Sequence, residues 1–170
     1  MTDDYRAGIR STASFAGHPI HAILVAFPIS FLMGALATDL LYWWTAEVFW
    51  AQGSYWLLIA GLVMGVLSVL TGLIDFVTIK RSRDYLAGWL HLVVNVTALG
   101  VALLNLLLRL QDSATVIIPV GLILSFATTG LLSAGGWFGG ELIYRLKIGV
   151  FGDEPESGVE PIVQTAQASD

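Results

Sequence analysis

His21 and His91 carry the most chemistry this sequence offers, since each opens a long apolar stretch in which an imidazole has few partners except other buried groups. Stepping from His91 by four and three residues along GWLHLVVNVTALGVALLNLLLR meets Asn95, Ala98, Ala102, Asn105 and Arg109, a polar and small-residue stripe on one face of a helix. An unpaired polar group in hydrocarbon costs several kcal/mol, so that face must turn toward other helices. Sorted by depth, the ionisable groups fall into two layers. His18, His21, Asp75, His91, Asn95, Glu141 and Tyr144 lie toward one end of the apolar stretches, and Asp39 and Arg109 lie toward the other. Asp39 follows His21, and Arg109 follows His91, by the same 18 residues, about 27 Å of helical rise.

Several roles suit the first layer. One is b-type haem, with His21 and His91 as axial ligands in the neutral form and Gly61, Gly65 or Gly72 making room for the macrocycle. Another is a non-haem metal held by His18, His21, Asp75, His91 and Glu141, a nitrogen and oxygen set suited to iron, manganese or zinc. A third is a proton relay through Asp75, His91 and Asn95. The structural alternative is that the layer only fixes helix register, with His91 bonded to Asp75. Asp39 with Arg109 reads as an interhelical ion pair. No Glu-x-x-His or His-Glu-x-x-His element is present, and the residues do not decide whether the chain is an enzyme.

The elements that must position these groups follow from composition. The 170 residues are 56% hydrophobic and only 12% charged, with mean hydropathy +0.77, against about 25% charged residues in an ordinary soluble domain. This is a membrane composition. The net charge of -5 comes from the tail, where Asp153, Glu154, Glu156, Glu160 and Asp170 stand; the rest carries eight acids and eight bases. No nucleic-acid-binding pattern results. With zero cysteines there is no disulfide, thiolate metal site, covalently attached haem or cysteine-ligated iron-sulfur cluster. No cleaved targeting segment is expected at the N-terminus.

Four stretches, about 20–44, 55–79, 86–108 and 116–138, are each long enough to cross about 30 Å of hydrocarbon. Short connections predict an all-α, up-down-up-down four-helix bundle over residues 18–150, with an N-terminal segment 1–17 and a disordered acidic tail 151–170. Arg6, Arg10, Lys80, Arg81, Arg83, Arg145 and Lys147 fall on the side of both termini and only Arg109 on the other, which places the termini in the cytoplasm. Trp43, Trp44, Trp50 and Trp56 mark one membrane boundary and Tyr85, Trp89, Trp137 and Tyr144 the other. Pro28 should kink the first helix. Gly61, Gly65, Ser68, Gly72 and Asp75 line a seam on the second, and Gly121, Ser125, Thr128, Gly135 and Gly139 on the fourth. The KRSRD turn suits anionic headgroups. A faint repeat joins His21 and Asp39 to His91 and Arg109, and TGLID at Thr71 to TGLLS at Thr129.

GHPIHAILVAFPISFLMGALATDLL and GGWFGGELIYRLKIGV together resemble a bacterial family of four-helix membrane proteins, domain of unknown function 2231, over about residues 17 to 150. The resemblance implies a multi-pass protein of the bacterial cytoplasmic membrane, whose relatives are associated with electron-transfer modules. On that basis the partners are lipid and a membrane redox protein or a second copy of the chain. By position, His18, Pro19, Pro28, Asp39, Asp75, His91, Asn95, Gly139, Gly140, Glu141 and Tyr144 match the family pattern. Two departures stand out. His21 comes earlier than the family spacing, and Tyr144, Arg145, Leu146 stand where many members have a Tyr-Arg-His run, so if that histidine is a ligand in relatives this chain has lost it.

Overall fold

A computed structural model describes residues 8–110, 112 and 114–150; the expected acidic tail and the first seven residues lie outside them. Four apolar rods dominate: Ile20–Thr45, Val48–Thr78, Leu86–Leu108 and Ile117–Arg145, each long and apolar enough to cross a membrane. The protein is an all-α, four-helix membrane bundle.

The first rod consists of α1 (Ile20–Leu24) and α2 (Ala26–Thr45), interrupted at Val25. Pro28 explains the interruption, since it lacks the N–H that would bond the Leu24 carbonyl four residues back. Only Ala46 and Glu47 separate α2 from α3 (Val48–Thr78). Ala46 is left-handed (φ 56°) and donates its N–H to the Tyr42 carbonyl at 2.8 Å, closing the helix. The short α4 (Lys80–Asp84) leads into α5 (Leu86–Leu108). The fourth rod opens with a wide turn, Ile117–Gly121, in which Ile118 is extended ahead of Pro119. It continues as α6 (Leu122–Gly140) and ends in a second wide turn, Glu141–Arg145.

Two boundaries differ from the hydropathy reading. The second rod starts at Val48 rather than near 55, and the fourth runs on through Arg145 rather than ending near 138. In both cases polar residues continue a helix because their side chains find partners. Ser54, fully buried, donates to the Ala35 carbonyl at 3.3 Å, and Glu141 and Arg145 pair across one turn at 3.2 Å.

The core is a seam of small and polar residues on two hairpins built to one plan. Pro28, Leu32, Ala35 and Asp39 are the buried positions of α2, and Ala98, Ala102, Asn105 and Arg109 are buried on or beside α5, each 70 residues later. The second arms correspond likewise. Ser54, Leu58, Gly61, Gly65 and Ser68 on α3 match Gly121, Ser125, Thr128, Leu132 and Gly135 at an offset of 67. The echo of TGLID in TGLLS is therefore not an equivalence, since it runs at an offset of 58. Glycines let neighbouring side chains press onto the helix along the seam: a Cβ on Gly61 would stand 2.6 Å from the Leu32 side chain, and one on Gly65 would stand 2.5 Å from that of Leu99.

Outward faces are mostly apolar. Trp43, Trp44 and Trp56 are exposed at the end where α2 meets α3, and Trp89, Trp137 and Tyr144 at the opposite end, the pattern of two interfacial belts. At that opposite end, called here the near end, residues 8–19 form a strap. It contains a two-residue hairpin, β1 (Ser14–Phe15) against β2 (His18–Pro19), with Ala16 and Gly17 both at positive φ as such a turn requires. Its start is zipped to the chain following the fourth rod: the Ile9 N–H donates to the Lys147 carbonyl at 2.8 Å, and the Gly149 N–H donates to the Ile9 carbonyl at 2.7 Å.

Candidate functional site

His21 lies on α1 and His91 one turn into α5, equivalent positions of the two hairpins. Each imidazole leans on the second arm of its own hairpin. The Nδ1 of His21 is 2.8 Å from the Ser68 carbonyl, and the Nδ1 of His91 is 2.9 Å from the Gly135 carbonyl. A carbonyl oxygen only accepts, so each Nδ1 carries the hydrogen, and in the neutral form of the ring the lone pair lies on Nε2. Among the described residues neither Nε2 has a hydrogen-bond partner.

Glycines make this seating fit. A Cβ at Gly72 would lie 2.8 Å from Cε1 and Nδ1 of His21, and one at Gly139 would lie 3.0 Å from Cε1 of His91. The rings then meet across the gap between the hairpins, centroids 6.0 Å apart and planes at 86°. Two imidazoles bonded to one metal at about 2.0–2.1 Å per bond hold their centroids roughly 6 Å apart. The spacing suits a shared ion or the axial pair of a haem.

Other residues of the expected layer have different partners. Asp75 does not reach His91: its carboxylate accepts from Ser11 Oγ at 2.7 Å and from the Thr12 and Ala13 N–H groups at 2.8 and 2.9 Å. The reason is the strap, which offers three donors to a carboxylate otherwise stranded at a helix end. The expected His91–Asp75 bond is thereby corrected, and the relay from Asp75 through His91 to Asn95 lacks its first contact. Asn95 donates to the His91 carbonyl at 2.7 Å, within its own helix. Glu141 pairs with Arg145, His18 is exposed with Nδ1 3.0 Å from the Ala16 carbonyl on the hairpin, and Tyr144 is 83% exposed. The five-residue metal set His18, His21, Asp75, His91 and Glu141 is thus not assembled, and no group of three or more potential ligands occurs among the described residues. Gly61 and Gly65 do not open a slot for a macrocycle either. Leu32 and Leu99 fill the space beside them, and His21 itself fills that beside Gly72.

The far end holds a buried network. Arg109 and Asp39 pair in a fork, Nη1 to Oδ1 and Nη2 to Oδ2, both at 2.8 Å, with neither side chain exposed. Arg109 also donates to Ser54 Oγ through Nη1 and to Asn105 Oδ1 through Nε, both at 2.8 Å. Ser125 Oγ donates to Asp39 Oδ2 at 2.6 Å, and Asn105 Nδ2 donates to the Gly121 carbonyl and to Ser125. Every rod contributes. Gly121 clears space for the guanidinium, since a Cβ there would lie 2.8 Å from Nη2.

Sequence reasoning passed over Ser11, Thr12, Ala13 and Ser54, and gave Ser68, Ser125 and Gly135 only a packing role. Polar residues inside or beside apolar runs mark Ser54 and Ser125; the Ser68 and Gly135 carbonyls and the strap amides have no side-chain signature.

Residues 17–152 match the model of a family described as predicted membrane protein (DUF2231). Neither the comparison with curated proteins nor that with solved structures finds a match.

Proposed function

This chain belongs to the DUF2231 family of predicted membrane proteins, and from that premise and the histidine geometry we propose that it is a bacterial cytoplasmic-membrane subunit that binds a redox cofactor, a b-type haem or a metal ion, between His21 and His91. The observation that carries this reading is the pair of Nδ1-protonated rings, each fixed by a backbone carbonyl, with two unpartnered Nε2 atoms and centroids 6.0 Å apart. A ligating histidine generally donates its other ring N–H to such an acceptor, which fixes tautomer and orientation. When bound, either group supplies one-electron transfer; the chain orients the imidazoles and keeps their lone pairs available. Partners in this reading are a membrane redox protein or a second copy, and the termini face the cytoplasm, as the excess of basic residues in the terminal and middle-loop segments of the sequence favours.

The test is an absorption spectrum of detergent-purified protein, oxidised and then dithionite-reduced, with elemental analysis. A Soret band or about one metal per chain, lost in His21→Ala and His91→Ala, supports the reading; neither in folded protein overturns it. A second reading, a scaffold whose polar layers are structural, is favoured by the far-end network, in which Asp39 and Arg109 bond one another and their buried neighbours. Absence of any cofactor from a stable preparation would leave that reading.

A further inference from the structure

We infer that the histidine pair is a two-coordinate site for a cuprous ion. This rests on the reading that His21 and His91 ligate a metal, and narrows which one. The donor set decides. Among the described residues the site offers two neutral imidazoles and no third histidine, cysteine or carboxylate. Zinc takes four ligands, calcium and magnesium take oxygens, and cupric or nickel ions take four donors near a plane. A cuprous ion, with a filled d shell and no geometric preference from it, is content with two nitrogens in line. Haem brings four nitrogens of its own but needs a flat slot, and the space beside Gly61 and Gly65 is filled by Leu32 and Leu99. A single ion needs only the gap between two rings.

The geometry agrees on two further counts. The 6.0 Å centroid spacing is close to what two metal–nitrogen bonds of about 2.0 Å produce once both Nε2 atoms turn to one ion between the rings. The 86° interplanar angle is no obstacle, because bonds directed along a nitrogen–metal–nitrogen line do not depend on rotation about it. The two hairpins contribute equivalently: His21 is held by Ser68 and Gly72, and His91 by Gly135 and Gly139, at the same offset of 67 between the holding residues. The cupric state calls for two more donors than the pair itself offers, so the pair favours the reduced member of the one-electron couple.

The experiment is anaerobic competition for cuprous ion between full-length protein in detergent and a chromogenic chelator, followed by X-ray absorption of the loaded protein. One copper per chain and a two-nitrogen shell are expected, with zinc and cupric ions bound at least about 100-fold more weakly. His21→Ala and His91→Ala should each weaken cuprous binding by more than about 100-fold, beyond the range typical of losing an outer-shell partner. Gly72→Ala, which crowds His21 without removing a ligand, should weaken it less, and circular dichroism with thermal melting confirms that each variant is folded. Cuprous binding unchanged in both histidine variants, or zinc bound more tightly than copper, overturns the inference. A Soret band lost in both variants, with no copper uptake, refutes the copper site and leaves the histidine ligation standing. Neither copper nor haem refutes both.

Discussion

Replacing Asp39 by leucine should destabilise the bundle by roughly 3–5 kcal/mol, the usual cost of leaving one member of a buried ion pair alone. The figure can be approached from the contacts. The substitution removes two guanidinium bonds at 2.8 Å and the Ser125 bond at 2.6 Å. Interhelical hydrogen bonds in membranes average about 0.6 kcal/mol each, so three neutral bonds would total only about 2 kcal/mol. The remainder is the guanidinium, which is 1% exposed and keeps only Ser54 and Asn105. Asp39→Asn separates the two terms, because it preserves shape and one acceptor but removes the charge. Its cost should lie close to that of leucine. The double variant Asp39→Leu/Arg109→Met removes both charges and should be more stable than either single variant. Reversible unfolding in mixed micelles, read as a double-mutant cycle, measures all four proteins. Single substitutions costing under about 1 kcal/mol, or a double variant whose loss is the sum of the two, would refute the assignment of this pair as the bundle's electrostatic anchor.

Gly61→Val should cost about 1–3 kcal/mol by forcing Leu32 away, whereas Gly130→Ala, with nothing within 4 Å of its Cβ, should melt as the parent does. Asp75→Ala should leave the helices intact while hydrogen exchange at Thr12 and Ala13 accelerates, since both amides lose their acceptor; unchanged exchange would mean that the strap is held elsewhere. Asp112 lies outside the spans, and the Ala114 and Thr115 N–H groups hold its carboxyl below the usual carboxylate range. A depressed pKa adds stability above the unfolded value, which is lost as pH falls through the folded one. The parent should therefore lose loop order in acid by a step, seen as amide exchange at Ala114, that Asp112→Asn does not show. A reporter fused after residue 170 should be active only in the cytoplasmic form, and a periplasmic signal would reverse the orientation drawn from the basic residues.

Much of the envelope was legible because hydropathy is additive along a chain. The four rods follow from runs of leucine, isoleucine and valine, and the stripe through Asn105 and Arg109 required an inward face. The boundaries misled where one polar side chain found a distant partner: Ser54 looks like the end of an apolar run until Arg109, 55 residues away, is seen to bond it. Asp75 misled for the converse reason. Its nearest basic candidate by depth was His91, but backbone amides of a polar N-terminal segment compete well for a carboxylate, and nothing in side-chain type announces them. Glycine was ambiguous at the sequence level. At Gly72 and Gly139 it cradles an imidazole, at Gly61 and Gly65 it admits a leucine, and at Gly100 and Gly130 it meets nothing.

The matched halves carry opposite charges where they meet, Asp39 on one and Arg109 on the other. Two copies of the first half would press carboxylate against carboxylate in a dry interface, and two copies of the second would do the same with guanidinium. Neither half can take its own twin as a mate, so a chain severed within α4, between the two hairpins, should reassemble only from unlike fragments. What resembles a doubled molecule has become an obligate couple.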